Sequence, residues 1–169
     1  MFNMILSLII FPVIVLAQVP DKPCSLPEAH QFDFWAGKWR AEWQDTDGNL
    51  VHGSNHVIKL FDGCVIEENF DGRPGTELIG KSFSVYDQRQ KEWKQTWVDN
   101  SGGYLDFTGR FIDGKMILSR HTADRKGNPV LQRMVYYNIK ENSFEWNWEI
   151  SYDNGKTWDL KWKINYTRN

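Results

Sequence analysis

From residue 38 onward the chain alternates apolar and polar positions in short runs. Trp39, Ala41 and Trp43 interleave with Lys38, Arg40, Glu42 and Gln44, and Phe144, Trp146, Trp148 and Ile150 interleave with Glu145, Asn147 and Glu149. Trp158, Leu160, Trp162 and Ile164 do the same with Asp159, Lys161 and Lys163. Successive side chains of an extended strand point to opposite sides, so a period of two predicts strands with one face inward and one in water. Between the runs stand Asp47-Gly48, Asp62-Gly63, Asp71-Gly72, Ser101-Gly102-Gly103, Asp113-Gly114, Gly127-Asn128-Pro129 and Asn154-Gly155, which supply the positive φ of tight turns. They delimit runs at 51–61, 64–70, 78–86, 92–99, 104–112, 115–122, 130–138, 143–151 and 157–166. With the opening run this makes about ten strands joined by short links, and none of them carries a helical period. The pattern predicts an all-β fold: an antiparallel up-and-down barrel of about ten strands, closed because closure removes exposed edges.

One stretch departs from this pattern. Ser25 and Glu28 stand in the S-x-x-E arrangement of a capping box, Pro27 suits a first helical turn, and Leu26, Ala29 and Phe32 recur at helical spacing up to Gly37. A short N-terminal helix is expected there, running through one glycine into the first strand and plugging one end of the barrel.

Residues 1–17 carry no charge and an almost unbroken apolar run, shorter than the roughly 20 residues that cross a bilayer. Val15 and Ala17 fit the small-residue positions of a signal-peptidase site, so cleavage before Gln18 is expected, an uncleaved anchor being the alternative. The expectation is a secreted or periplasmic protein with one barrel domain over 18–169 and no stable membrane insertion after cleavage. In an oxidising compartment an even cysteine count favours a disulfide between Cys24 and Cys64 over two buried free thiols. The formal charge of −2 argues against a nucleic-acid partner, which would need a basic face.

Gly37-Lys38-Trp39 resembles the G-x-W that opens the first strand of lipocalins, and Arg168 stands where those proteins keep a basic residue over that tryptophan. The resemblance implies a calycin barrel in which Gly37, Trp39 and Arg168 are structural, Arg168 capping Trp39 and bonding carbonyls of the helix. Across most of the mature chain the sequence is similar to a family of exported bacterial domains of unknown function. It shares their F-x-F-W-x-G-x-W opening at Phe32–Trp39, G-C-x-x-E-E at Gly63–Glu68 and Q-x-W-V-D-x-x-G-G at Gln95–Gly103. The opening also resembles that of haem-binding nitrobindin barrels. Ser151-Tyr152-Asp153-Asn154-Gly155-Lys156-Thr157-Trp158 is similar to the Asp-box of sialidase propeller blades; a propeller needs several such hairpins, and a single one reads as a turn.

The candidate chemistry lies in polar residues on faces that otherwise read as inner. Glu68 aligns with Ile66 and Phe70, Arg120 with Met116 and Leu118, His56 with Ile58 and Leu60, and Gln95 and Asp99 with Trp93 and Trp97. A buried carboxylate needs a partner, so Glu68 is expected to meet a cation or a donor, with Arg120 first and Arg133 or Lys81 behind it. Such a pair either fixes strand register or anchors a ligand. The nine tryptophans either fill the interior or form a stacking surface. No G-x-S-x-G elbow, H-E-x-x-H or phosphate loop is present; His52, His56 and His121 could ligate a metal, but His52 and His56 share a strand face two pleats apart, too far from each other to chelate without help. The leading expectation is an exported barrel that binds a small apolar or aromatic molecule among Trp97, Trp146 and Trp148, with Glu68 and Arg120 as polar anchors. The alternatives are a nitrobindin-like haem barrel using His56 or His121, and a calycin-like enzyme using Glu68 or Asp99 as acid or base. The sequence specifies no cofactor.

Overall fold

Turn by turn, the alternating runs pair into one closed antiparallel sheet. A computed structural model describes residues 24–169; the expected signal segment at 1–17 and its cleavage point lie outside the described residues. The strands are β1 (Gly37–Gln44), β2 (Leu50–Leu60), β3 (Val65–Asp71), β4 (Ile79–Asp87), β5 (Glu92–Asp99), β6 (Tyr104–Ile112), β7 (Lys115–Ala123), β8 (Pro129–Lys140), β9 (Ser143–Ser151) and β10 (Asp159–Arg168). Each pairs with its sequence neighbours, and β1 returns to β10 with Trp39 opposite Arg168, so the barrel has no free edge. Among the described residues no helix is long and apolar enough to cross a membrane.

The segment before β1 forms two short 3-10 turns, Pro27–His30 and Asp33–Trp35. The expected capping box does not form: Leu26, not Ser25, is the N-cap residue, and it makes no side-chain bond. The turn is a single 3-10 loop with Pro27 at its start, too short to present the row of free N–H groups that such a box serves. What fixes the segment is packing. Phe32 and Trp35 are almost wholly buried; the Phe32 ring stands edge-on to Trp93 and Tyr136 at 5.2 and 5.1 Å, and Trp35 lies 5.2 Å from Tyr136. The bond expected between Cys24 and Cys64 is present and ties this segment to the β2–β3 turn.

At the same end, Arg168 lies over Trp39, its guanidinium carbon 4.2 Å from the ring centroid. It donates to the carbonyls of Ala36, Phe34 and Glu141 at 3.0, 3.4 and 3.1 Å. The Trp39 indole N–H donates to the Trp35 carbonyl at 2.7 Å. Gly37 has φ of 140°, and a Cβ there would collide with the Arg168 guanidinium, so both backbone and space demand glycine. The C-terminal strand is thus tied by one cation to the opening segment, more than 130 residues away, and to the β8–β9 turn.

Two faces differ from the sequence expectation. In β2 the buried positions are Gly53, Asn55 and Val57, so His56 is on the outer face and exposed. In β10 the register shifts between Leu160 and Trp162; Trp158 precedes the strand, Leu160 is exposed, and only Trp162, Ile164 and Tyr166 continue the inner row. A bulge changes which residues face inward, and the alternation on either side of it looks the same in sequence.

Candidate functional site

Inside the barrel the side chains leave a cavity of about 250 Å³, far more than the roughly 15 Å³ that one water needs. Its wall is mostly aromatic: Trp35, Phe70, Trp97, Phe107, Trp146, Trp148 and Trp162, with Leu78, Leu105, Met134 and Ile164 between them. Leu78 precedes β4, Asp99 ends β5 and Leu105 is the second residue of β6, so the space reaches the barrel end opposite Phe32 and Trp93. Trp97 and β4 fit together by size. Gly80, Ser82 and Ser84 are the buried positions of β4, facing Asp99, Trp97 and Gln95 across the β4–β5 ladder, and a Cβ on Gly80 would strike the Trp97 ring. Small residues on one strand make room for large ones on the next.

One wall of the cavity is polar and centres on Glu68. This carboxyl is 7% exposed and accepts one hydrogen bond on each oxygen, from Asn55 Nδ2 at 2.6 Å and from Ser82 Oγ at 2.7 Å. Ser82 is directly opposite Glu68 across the β3–β4 ladder, and Asn55 reaches it diagonally from β2. Two neutral donors do not offset the loss of water, and burial pushes the carboxyl up to about 7. The phenols of Tyr136 and Tyr166 line the same space; burial, together with the nearby Glu68 charge, raises both well above the usual tyrosine range. Gln95 donates to Ser84 Oγ at 2.9 Å just behind. Among the described residues the buried Trp35 indole N–H has no acceptor although Trp35 lines the cavity, which leaves a donor available there.

The cation expected beside Glu68 is not there. Arg120 does lie on the inner row of β7 but stands four strands away around the wall; its guanidinium sits 5.8 Å from the Phe107 ring centroid and reaches toward Asp106 at 3.9 Å. Arg133 pairs with Glu149 at 2.6 Å while stacking on Trp158, and Lys81 pairs with Glu67 at 2.9 Å. All three keep partly solvated partners, which avoids the desolvation of a second buried ion.

Asp99 reaches the cavity too, in a contrasting environment. It accepts from the Trp97 indole at 2.9 Å, from Ser101 N and Oγ, and from Gly103 N at 3.0 Å, and these donors hold it down at about 2. It organises the β5–β6 turn as an ionised acceptor, and it holds no proton for acid chemistry near neutrality. The haem alternative loses its ligand: His56 and His121 are exposed, and no histidine lines the cavity. Among the described residues no three His, Cys, Asp or Glu side chains converge to hold a metal ion.

Of the sequence candidates, then, Glu68, Trp97, Asp99, Trp146 and Trp148 meet at one cavity, Gln95 backs it, and Arg120 and His56 stand apart. Asn55, Ser82, Tyr136 and Tyr166 were missed. Ser82 gave no usable signal, because β4 is an inverted strand: Phe83 and Val85 are exposed and the small polar Ser82 and Ser84 point inward. Comparison with known proteins adds nothing to these residues, since no protein-family model matches the chain and no curated protein matches it.

Proposed function

We propose that the chain is an exported, lipocalin-like barrel of the kind its opening motif resembles, and that it binds a small, largely apolar or aromatic molecule in its lumen. The observation that carries this reading is the cavity: about 250 Å³ walled by tryptophans around a few convergent polar groups, the usual make-up of a small-molecule site. The buried Phe32 and Trp35 support a closed end at the opening segment, with ligand entering past Leu78 and Leu105. The Cys24–Cys64 bond supports an oxidising compartment outside the cytoplasm. The partner is a small molecule, with no nucleic acid involved.

The test is isothermal titration with indole as a flat apolar probe. One saturable site is expected, weakened about tenfold or more in Leu105→Trp, which puts a larger ring into the lumen. No saturable heat with the native protein up to the solubility of indole would sink the reading.

One observation favours a second reading. Glu68, neutral or ionised with nearly equal ease at about pH 7, is suited to general acid–base catalysis on a bound molecule, with the Tyr136 and Tyr166 phenols as donors. It predicts deuterium uptake by some member of a panel of small ketones in D₂O, abolished in Glu68→Gln; no uptake across the panel would leave binding alone.

A further inference from the structure

We propose that the molecule held in the lumen is a small organic cation, an ammonium or amidinium group on an apolar or aromatic body, with its charged end against Glu68. This rests on the binding reading above and narrows it to a ligand class.

The charge of the cavity wall is one-sided. Two carboxylates, Glu68 and Asp99, line it, and among the described residues no lysine, arginine or histidine does. The basic side chains on the surrounding strands are directed elsewhere, Lys81 to Glu67, Arg133 to Glu149 and Arg120 toward Asp106. The two carboxylates differ in what they lack. Asp99 takes bonds from Trp97, Ser101 and Gly103, so its acceptor capacity is largely filled from its own turn. Among the described residues Glu68 takes one bond per oxygen, each from a neutral group, while a carboxylate can accept about four.

A buried carboxyl served only by neutral donors destabilises the fold whenever it is ionised. The arrangement is accounted for if the compensating charge arrives with the ligand. The aromatic wall is compatible with the same sign, because Trp146, Tyr136 and Tyr166 line the space and aromatic rings attract cations to their electron-rich faces. An anion would meet two carboxylates. A neutral molecule would fit the space but gain nothing from the charge of Glu68.

The experiment uses two probes of matched size, 2-phenylethylammonium and 2-phenylethanol, titrated calorimetrically into the mature native protein and into Glu68→Gln. At about pH 8 the ammonium should bind roughly thirtyfold or more tightly than the alcohol, and Glu68→Gln should erase that preference. Lowering the pH to about 6 should weaken the ammonium selectively as Glu68 takes up a proton. The groups facing Glu68 do not compete in that range: Asn55 and Ser82 do not titrate, Tyr136 and Tyr166 are raised, and Asp99 stays ionised. Equal binding of the two probes would overturn the cation inference and leave the binding reading intact. A preference that survives Glu68→Gln would overturn the role of Glu68. Failure of both probes to bind would overturn the inference, and the binding reading with it if indole also failed.

Discussion

Glu68→Gln is expected to stabilise the protein above pH 7 by about 3 kcal/mol and to leave its stability below pH 4 nearly unchanged. The folded-state value of Glu68 is raised from 4.5 to about 7, with desolvation as the largest cause. Below both values the carboxyl is protonated whether the chain is folded or not, and it adds no pH dependence. Between them the unfolded chain has released a proton that the folded chain still holds, so native stability falls as pH rises through this window. Above about 7 the full penalty of an ionised buried group is present, and a neutral amide removes it. Glutamine also fits the existing bonds: its carbonyl accepts from Asn55 Nδ2, and its amide can donate to Ser82 Oγ, whose hydroxyl can accept as readily as donate. The depressed carboxylates Asp71, Asp99, Glu145 and Asp153, each at about 2, act in the opposite sense at lower pH, where their protonation destabilises the fold. Urea denaturation of both proteins at pH 4, 6 and 8 measures the difference. A gap between them that does not widen with pH would mean that Glu68 is not desolvated.

The same mutation separates structure from function. If Glu68 were kept for stability, replacing it would weaken the fold; if it is kept for a ligand, replacing it strengthens the fold and harms binding. Functional groups are commonly held where they are locally unfavourable, which makes the two signs together more informative than either alone.

Strand number, turn positions and the closed meander were legible because amphipathic strands repeat with a period of two and Asp-Gly and Asn-Gly pairs interrupt them. The faces were legible only where apolar residues point inward, as in β9, where Phe144, Trp146 and Trp148 could be assigned. In β4 the rule runs backwards, with Ser82 and Ser84 buried while Phe83 and Val85 are exposed, and in β2 the polar Asn55 is buried beside Val57 while Ile58 and Leu60 on the other face are half-buried. That inversion hid half of the polar wall. Tyr136 and Tyr137 are adjacent and chemically alike, so pattern alone could not tell which one enters the lumen. The expected Glu68–Arg120 pair failed for another reason. Which inward residues meet across a barrel depends on its radius and the stagger of its strands, and these lie outside any single strand's pattern.

Loss of the Cys24–Cys64 bond is expected to lower stability by up to about 4 kcal/mol while the barrel still folds. The bond joins residues 40 apart in sequence with Cα atoms 5.3 Å apart, so it chiefly restricts the unfolded chain by closing a long loop. The ladders from β1 to β10 do not pass through it, and the sheet can close without it. Nor is the opening segment released when the bond is cut, for Lys59 still pairs with Asp33 at 2.7 Å and Arg168 still holds the Ala36 and Phe34 carbonyls. Phe32 and Trp35 should therefore stay buried in the reduced native state, and indole binding should persist. The measurement is denaturation of Cys64→Ser and of the reduced native chain beside the oxidised one, with tryptophan emission reporting whether Trp35 remains enclosed. A red-shifted native emission would show that the bond, and not aromatic packing, holds the segment in place. Unchanged denaturation midpoints would show that closing this loop contributes little to the fold.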